Sequence, residues 1–491
     1  MQQEQKTSRG KWPSLDLRSL ALFRILLGIL LLADLLYRCA DFSVFYADGG
    51  ILPPGLDALH SKSFIHGLSN STIWQVLVVA MQGIAIICVV VGYHTKVALA
   101  ACWALLASLN HRNPWILQIA DRVYIYWIVY ALLLPTHLRF SLDRRRLDKA
   151  SQDATQTGSI VSLLLLLQVV GIYEIAASYK AFTETWRTGS ILIEAMRTDA
   201  VATDLGRSLL AFPGLLKFAG QATLVFEFVG PILLLCTWKR GMPRTILCFA
   251  FVSFHLFGIG LMMKLGLVGG ALAVVWFALL PGWFWDVLLP KCGIHRFQSD
   301  RPKSVPNQSW SRVTSVVVCT IWVISWSTTL ARATPRFQVP HVLQYLLSAT
   351  GLAQDKFSLW TDPGGSRRFV FAATLANGRQ IDLHTGRDLD WTSPRQCPKN
   401  NHWYKCFQKL RRDERVAENV ARYFINEWNE GKSEDERVVK MEIVILLERK
   451  QPASFWLNAE DPKTIEVPSV KLKAGRFDVF YSNDGTRLIR E

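Results

Sequence analysis

A mainly α fold, a polytopic transmembrane helical bundle of about nine helices followed by a small C-terminal extracytoplasmic α+β domain, is what the sequence predicts. Half of the 491 residues are hydrophobic and 18 are tryptophan, more than a soluble globule can hide. Apolar runs near the ~20 residues that a ~30 Å hydrocarbon core requires recur over most of the chain. The lysines and arginines behind a formal net charge of +16 fall largely in short stretches between those runs. Cytoplasmic membrane loops have that character, and topology together with attraction to anionic lipid explains the charge without nucleic acid.

The N-terminal arm is basic (Lys6, Arg9, Lys11), and the apolar run Leu20–Leu36 behind it superficially resembles a signal peptide. It is longer than the apolar region of such a peptide and lacks a clean small-x-small cleavage site, so it reads as a retained first helix, with Arg24 and Asp34 as unusual members. Further candidates span roughly 72–93, 96–110, 119–135, 159–178, 215–237, 244–264, 266–288 and 312–332. With the N-terminus inside, an alternating path puts Lys96, the Arg139–Lys149 cluster, the Lys239–Arg244 hairpin and the Lys291–Arg312 linker on the cytoplasmic side. Loops 39–71, 110–118 and 179–214 then face outward, as does everything from about residue 336. The expected domains are 1–335, helical and membrane-embedded, and 336–491, outside the membrane.

In the second domain charges of both signs become frequent and the apolar runs shorten. Phe369–Leu375 and Gln380–His384 flank Asn377-Gly378, a hairpin signal because Asn-Gly supplies positive φ at the turn. Val416, Val420, Phe424 and Trp428 recur at helical spacing, while Val438–Leu447 and Phe477–Tyr481 read as strands. Cys397 and Cys406 invite a disulfide on an oxidising outer side, or stand as two thiols. No metal-ligand spacing, Walker loop or dinucleotide fingerprint is present, so neither a bound metal nor a nucleotide is expected.

Ionisable residues inside spans are costly and are candidate functional groups by default. Glu227 and His255 fall near the middle of two helices joined by the short basic hairpin, so a Glu227–His255 hydrogen bond is feasible. Such a pair either fastens two helices or lets His255 move a proton with Glu227 setting its tautomer. Lys180, at the outer end of the fifth helix, is either an interfacial anchor or, turned inward, a general base with Tyr173, Glu174 and Trp186 as neighbours. Arg24, Asp34, Asp121 and Arg122 read as buried ion-pair or loop-anchoring groups.

Several segments carry a family likeness. SLALFRILLGILLLADLL at Ser19–Leu36 resembles the first membrane segment of the vitamin K-dependent γ-carboxylases and their bacterial relatives, the horizontally transferred transmembrane domain (HTTM) proteins. Tyr46–Pro53, SLNHRNPWILQIADRVY and YKAFTETWRTGSIL are similar to later segments of that family, in the same order, as are the helices of Glu227 and His255. The likeness covers about residues 15–290. It implies that Lys180 would deprotonate a reduced vitamin K or menaquinol, which with oxygen becomes the base that removes a γ-proton from a glutamate of an exported protein before carbon dioxide adds. The family's Lys-Lys pair is represented here by Lys180 and Ala181, and its Asn-Asn-His by Ile119-Ala120-Asp121. Implied with it are a bacterial inner-membrane location and membrane lipid, a quinol and an exported protein as partners. The alternative is a non-catalytic membrane factor that binds or matures an exported protein through its C-terminal domain. A transporter ranks last, since no inverted repeat or paired broken helices are evident.

Overall fold

The computed structural model describes residues 12–52, 63–299, 312–333, 338–354, 367–391, 398–448, 469–482 and 485–490. The chain is mainly helical, with one sheet near its C-terminus. Among the described residues each predicted apolar segment holds a helix: α1 (Leu17–Cys39), α2 (Thr72–Val91), α3 (Thr95–Arg112), α4 (Ile119–Leu133), α5 (Ile160–Ala181), α6 (Pro213–Cys236), α7 (Gly241–Ser253, continuing as π-helical turns through Leu261), α8 (Val268–Ala278) and α9 (Arg312–Ala333). Five of these, α1, α2, α5, α6 and α7, are long and apolar enough to cross a membrane. The others fall short for local reasons. Lys96, His111 and Arg112 sit in α3, α4 has only 15 residues and α8 only 11, and serine, threonine and tryptophan dilute α9.

The helix boundaries follow from capping. Asp16 accepts the Arg18 amide (2.8 Å) to start α1, and Ser71 accepts that of Trp74 (3.2 Å) to start α2. Gln118 and Asp121 cap α4 reciprocally. A strand β1 (Ser14–Asp16) pairs antiparallel with β2 (Gln156–Gly158), tying the start of α1 to the start of α5. The bundle therefore has a basic end, which carries the Arg139–Arg146 loop, and an opposite end where the sheet lies.

Buried charges join the helices. Arg38 on α1 donates to Asp34 (2.7 Å), to Asp121 at the start of α4, to the Tyr46 hydroxyl (2.9 Å) and to Asn110 on α3 (3.3 Å). Arg24 donates to the carbonyls of Thr136 (3.2 Å) and Phe140 (2.5 Å), so it anchors the loop after α4. Both roles anticipated for Arg24, Asp34 and Asp121 are thus filled.

After α9 the chain turns back through α10 (His341–Ala349) and packs against α3, α5 and α9. The Thr350 carbonyl accepts from Trp103 (2.9 Å), the Ala353 carbonyl from Tyr126 (2.9 Å), and the buried Gln354 exchanges hydrogen bonds with Gln168 (3.1 Å). Residues 341–354, assigned above to the second domain, are therefore part of the helical bundle.

The sheet has six antiparallel strands in the order β5-β4-β3-β6-β7-β8: β3 (Arg367–Leu375), β4 (Gln380–Asp382), β5 (Arg387–Asp388), β6 (Val438–Glu448), β7 (Ser469–Ser482) and β8 (Gly485–Arg490). The β3–β4 hairpin closes at Asn377-Gly378, where Gly378 has φ +82°. Between β4 and β6 lie α11 (Asn401–Phe407) and the amphipathic α12 (Glu414–Asn429). Alternate residues Phe369, Phe371, Ala373 and Leu375 of β3 and Met441, Ile443 and Ile445 of β6 pack with Val416, Val420 and Phe424 of α12. That core also contains Phe45, Tyr46, Ile51, Leu109, Trp115 and Ile116 from the bundle, so sheet and bundle share apolar packing. Cys406 is a buried thiol in this core, pushed up to about 12 by burial, while Cys397 lies outside the described residues.

Polar contacts hold α11 on the bundle. Lys399 pairs with Asp41 (2.9 Å), the Asn401 amide nitrogen donates to Gln118 (2.9 Å), and His402 lies against the Tyr37 ring at 4.7 Å. Burial and the Arg38 cation push the His402 imidazole down to about 3, with Asp41 opposing. A histidine of lowered pKa contributes stability above its free value near 6.5, and that contribution is lost as pH falls toward the lowered value. His66, buried in the loop before α2 and lowered to about 4 chiefly by burial, acts in the same direction. Docking of α11 is expected to weaken by about 2 kcal/mol between pH 7 and pH 5 through His402. Amide exchange of α11, corrected for intrinsic rates, measures this; equal opening free energies at the two pH values would contradict it. His402→Phe should flatten much of the dependence.

Candidate functional site

The fifth, sixth and seventh helices each present polar side chains to the interior. On α5, Tyr173 and Lys180 are seven residues apart, two helical turns, and so share a face. Both are buried, with 4% of each surface exposed. Glu227 on α6 and His255 on α7 are buried as well.

Two couples form across these helices. The Lys180 ammonium pairs with Glu227 Oε2 and stands 4.7 Å from the centroid of the Trp186 ring. The Tyr173 hydroxyl and His255 Nε2 are 2.5 Å apart, and the same hydroxyl accepts from Trp276 Nε1 on α8 at 2.9 Å. Because the tyrosine accepts from the indole, its proton is directed at His255 Nε2, which leaves the proton of a neutral imidazole on Nδ1. Nδ1 is buried and has no partner among the described residues. The Glu227–His255 bond expected from the hairpin is absent. The reason is packing: α6 lies along α5 far more than along its sequence neighbour α7, so the nearest cation to Glu227 is Lys180.

Backbone irregularities make room for these groups. Pro231 inside α6 cannot donate to the carbonyl of Glu227 four residues earlier, so the ladder is broken in the turn that carries the carboxylate. In α7 the helix widens into π-helical turns from Phe254 to Leu261, a stretch that includes His255 in its first turn. Gly269 of α8 lets that widened turn approach, since a Cβ there would lie 2.5 Å from the His255 carbonyl oxygen. Gly189, at φ +81°, sits where a Cβ would meet the Lys217 carbonyl at 2.2 Å. This close approach seats the short helix Glu184–Thr188, and with it Trp186, against the start of α6.

These groups face one cavity of about 420 Å³. Its walls are mostly apolar, from Ala176, Leu192, Met196, Leu216, Ala219, Ile259, Met262, Val268 and Leu272. The polar lining comprises Lys180, Glu227, His255, Tyr173, Thr223, Gln118, and Asn401 and Lys405 from α11. Volume and lining suit an amphipathic ligand of modest size held by a few directed polar contacts. Among the described residues no group of three or more His, Cys, Asp or Glu side chains is placed to hold a metal ion.

Of the three site residues singled out from sequence, Lys180, Glu227 and His255, all line this cavity, as do the suggested neighbours Tyr173 and Trp186 through their contacts with it. Glu174 does not. Sequence reasoning missed Trp276, Thr223, Gln118, Asn401 and Lys405. Asn401 and Lys405 carried no signal, because their proximity arises only when α11 docks. The chain matches no protein-family model, no curated protein and no solved structure.

Removing the Tyr173 hydroxyl would strand Trp276 Nε1 and His255 Nε2 together in an apolar interior. Tyr173→Phe is therefore expected to destabilise the protein by about 1–3 kcal/mol, read as a fall in melting temperature of the detergent-solubilised protein. An unchanged melt would mean that the stranded indole donor and imidazole acceptor find other partners.

Proposed function

We propose that this chain is a membrane enzyme in which Lys180 serves as a general base toward a quinol-type ligand bound beside it, a carboxylase-like chemistry of the kind implied by the family resemblance. The observation that carries the reading is the buried Lys180–Glu227 couple opening onto an apolar cavity. A lysine serving only as an interfacial anchor would extend to the surface, whereas Lys180 is turned into the bundle.

The residues can divide the work as follows. Glu227 takes a proton from the Lys180 ammonium, leaving an amine able to accept one from an acidic hydroxyl in the cavity. Trp186 covers the cation and helps hold it while the apolar walls exclude water. His255, with Nε2 held by Tyr173, offers Nδ1–H as a donor to a polar atom of the ligand. A quinol, when bound, would supply the ionisable hydroxyl and, with oxygen, the oxidisable ring; carbon dioxide and a glutamate of an exported protein would be the remaining reactants. The apolar lining with few polar groups fits a quinol of vitamin K or menaquinol type.

The finer topology belongs to this proposal: nine crossings, a cytoplasmic N-terminus and basic end, and the sheet domain outside a bacterial inner membrane. The basic residues collected at the end opposite the sheet support this orientation. The competing reading, a non-catalytic factor acting through its tail, draws less support, since α11 contributes Asn401 and Lys405 to the cavity wall and shares a core with the bundle.

Purified protein given reduced menaquinone or vitamin K, oxygen and bicarbonate is expected to form quinone epoxide, detected by mass spectrometry. Lys180→Ala should lower that rate by about 100-fold or more, and Glu227→Gln should also lower it, with melting curves showing both proteins folded. Epoxide formation that survives Lys180→Ala, or none with any quinol in folded wild type, would turn the assignment toward the non-catalytic factor. In that case truncation before the sheet should abolish cellular function while Lys180→Ala preserves it.

A further inference from the structure

At the basic end, remote from Lys180, a second cavity of about 740 Å³ opens between the start of α1, the loop after α4, β2 and the segment following α8. Arg18, Arg139, Arg144 and Arg296 line it, and among the described residues Asp153 is the one carboxylate in its lining. Arg18 is internally compensated: it is buried, and its guanidinium is shared between Asp16 (2.7 Å) and Asp286 (2.5 Å). The other three differ. Among the described residues Arg139 donates only to the Ala154 carbonyl, through Nε at 2.9 Å and through Nη2. Arg144 donates through Nη2 to the Gln152 carbonyl at 3.1 Å, and its Nε is buried with no partner among the described residues. Arg296 is exposed at the rim. None of these three forms an ion pair with a described carboxylate.

Like charges gathered around a partly enclosed space are costly unless an anion joins them. Burial and then repulsion by Arg144 and Arg18 hold the Arg139 guanidinium below its ordinary range, and Asp16 and Asp153 weigh less than that repulsion. An anion with several acceptor oxygens can take donors from more than one guanidinium fork at once.

We propose that the Arg139–Arg144–Arg296 cavity is a binding site for a phosphate group. A phosphate offers three or more acceptor oxygens to these forks, while Arg18 in the adjoining wall is held by Asp16 and Asp286. The phosphate can belong to an anionic lipid headgroup, since the cavity lies where apolar helices end, or to a soluble phosphate compound.

The test uses the full-length purified chain and two probes. Inorganic pyrophosphate is titrated by calorimetry, and nanodiscs of phosphatidylcholine alone or mixed with phosphatidylglycerol are compared by mass spectrometry of the retained lipid. At least one probe should bind wild type and be weakened about tenfold by Arg144→Gln, with Arg296→Gln weakening it in the same direction. Arg296 is exposed, so that variant reads the site even if Arg144→Gln does not fold. Pyrophosphate binding assigns a soluble phosphate, and selective phosphatidylglycerol retention alone assigns a headgroup. Equal binding by wild type and both variants, or no binding of either probe, overturns the proposal.

Discussion

Arg38 illustrates the constraint on which the bundle depends, that a charge taken into an apolar interior must bring its partners with it. Its guanidinium reaches two carboxylates, a tyrosine and an asparagine drawn from α1, α3, α4 and the loop after α1. Removing one partner of such a buried group costs about 3–5 kcal/mol, because the remaining charge stays buried. The arrangement therefore specifies which helix ends meet. Asp121 serves twice, accepting from Arg38 and also from the Gln118 amide at 2.6 Å as the α4 cap, so the start of α4 is defined by the same contact that draws it to α1. Tyr37 and Asp41, just along the chain, then offer α11 its ring contact and ion pair.

The cavity obeys the same rule with a different outcome. Lys180 is satisfied by one carboxylate and one aromatic face, and His255 by one hydroxyl, which leaves imidazole Nδ1 unmatched. Regular helices would pack this space shut. Pro231 breaks the α6 ladder at Glu227, and the first π-helical turn of α7 contains His255, so each irregularity lies beside a group of the site. Trp276, stacked on Phe251 at 3.9 Å, braces Tyr173 from α8 and gives the hydroxyl its second contact. The strain is local and coincides with the polar groups, as it does where a fold has been opened for a ligand.

How much of this could be read from sequence follows from the range of each interaction. Helix positions, the Asn377-Gly378 hairpin, α12 and β6 were legible because their signals lie within one turn or one run of residues. Lys180, Glu227 and His255 were legible as costly residues inside apolar runs. Their pairing was not, since the hairpin between α6 and α7 suggests a sequential partner, whereas α6 packs on α5. The return of residues 341–354 into the bundle also escaped, because its determinants are backbone carbonyls at Thr350 and Ala353 meeting side chains more than 200 residues earlier. Crossing length was overestimated at α4 and α8, where apolar character runs past the end of the helix itself.

The docking of α11 connects these levels. Asn400 caps that helix by accepting from the amides of His402 and Trp403 while donating to Asp41, so the bond that starts α11 also seats it. Asn401 and Lys405, one helical turn apart, then face the cavity from the sheet side. Trp403 and Phe407 turn the other way into the shared core with Phe45 and Phe424. One seven-residue helix thus divides its faces between an apolar core and a polar cavity wall. A ligand beside Lys180 would accordingly be enclosed by both parts of the chain, and any displacement of the sheet would change the cavity before it changed the helices that carry Lys180, Glu227 and His255.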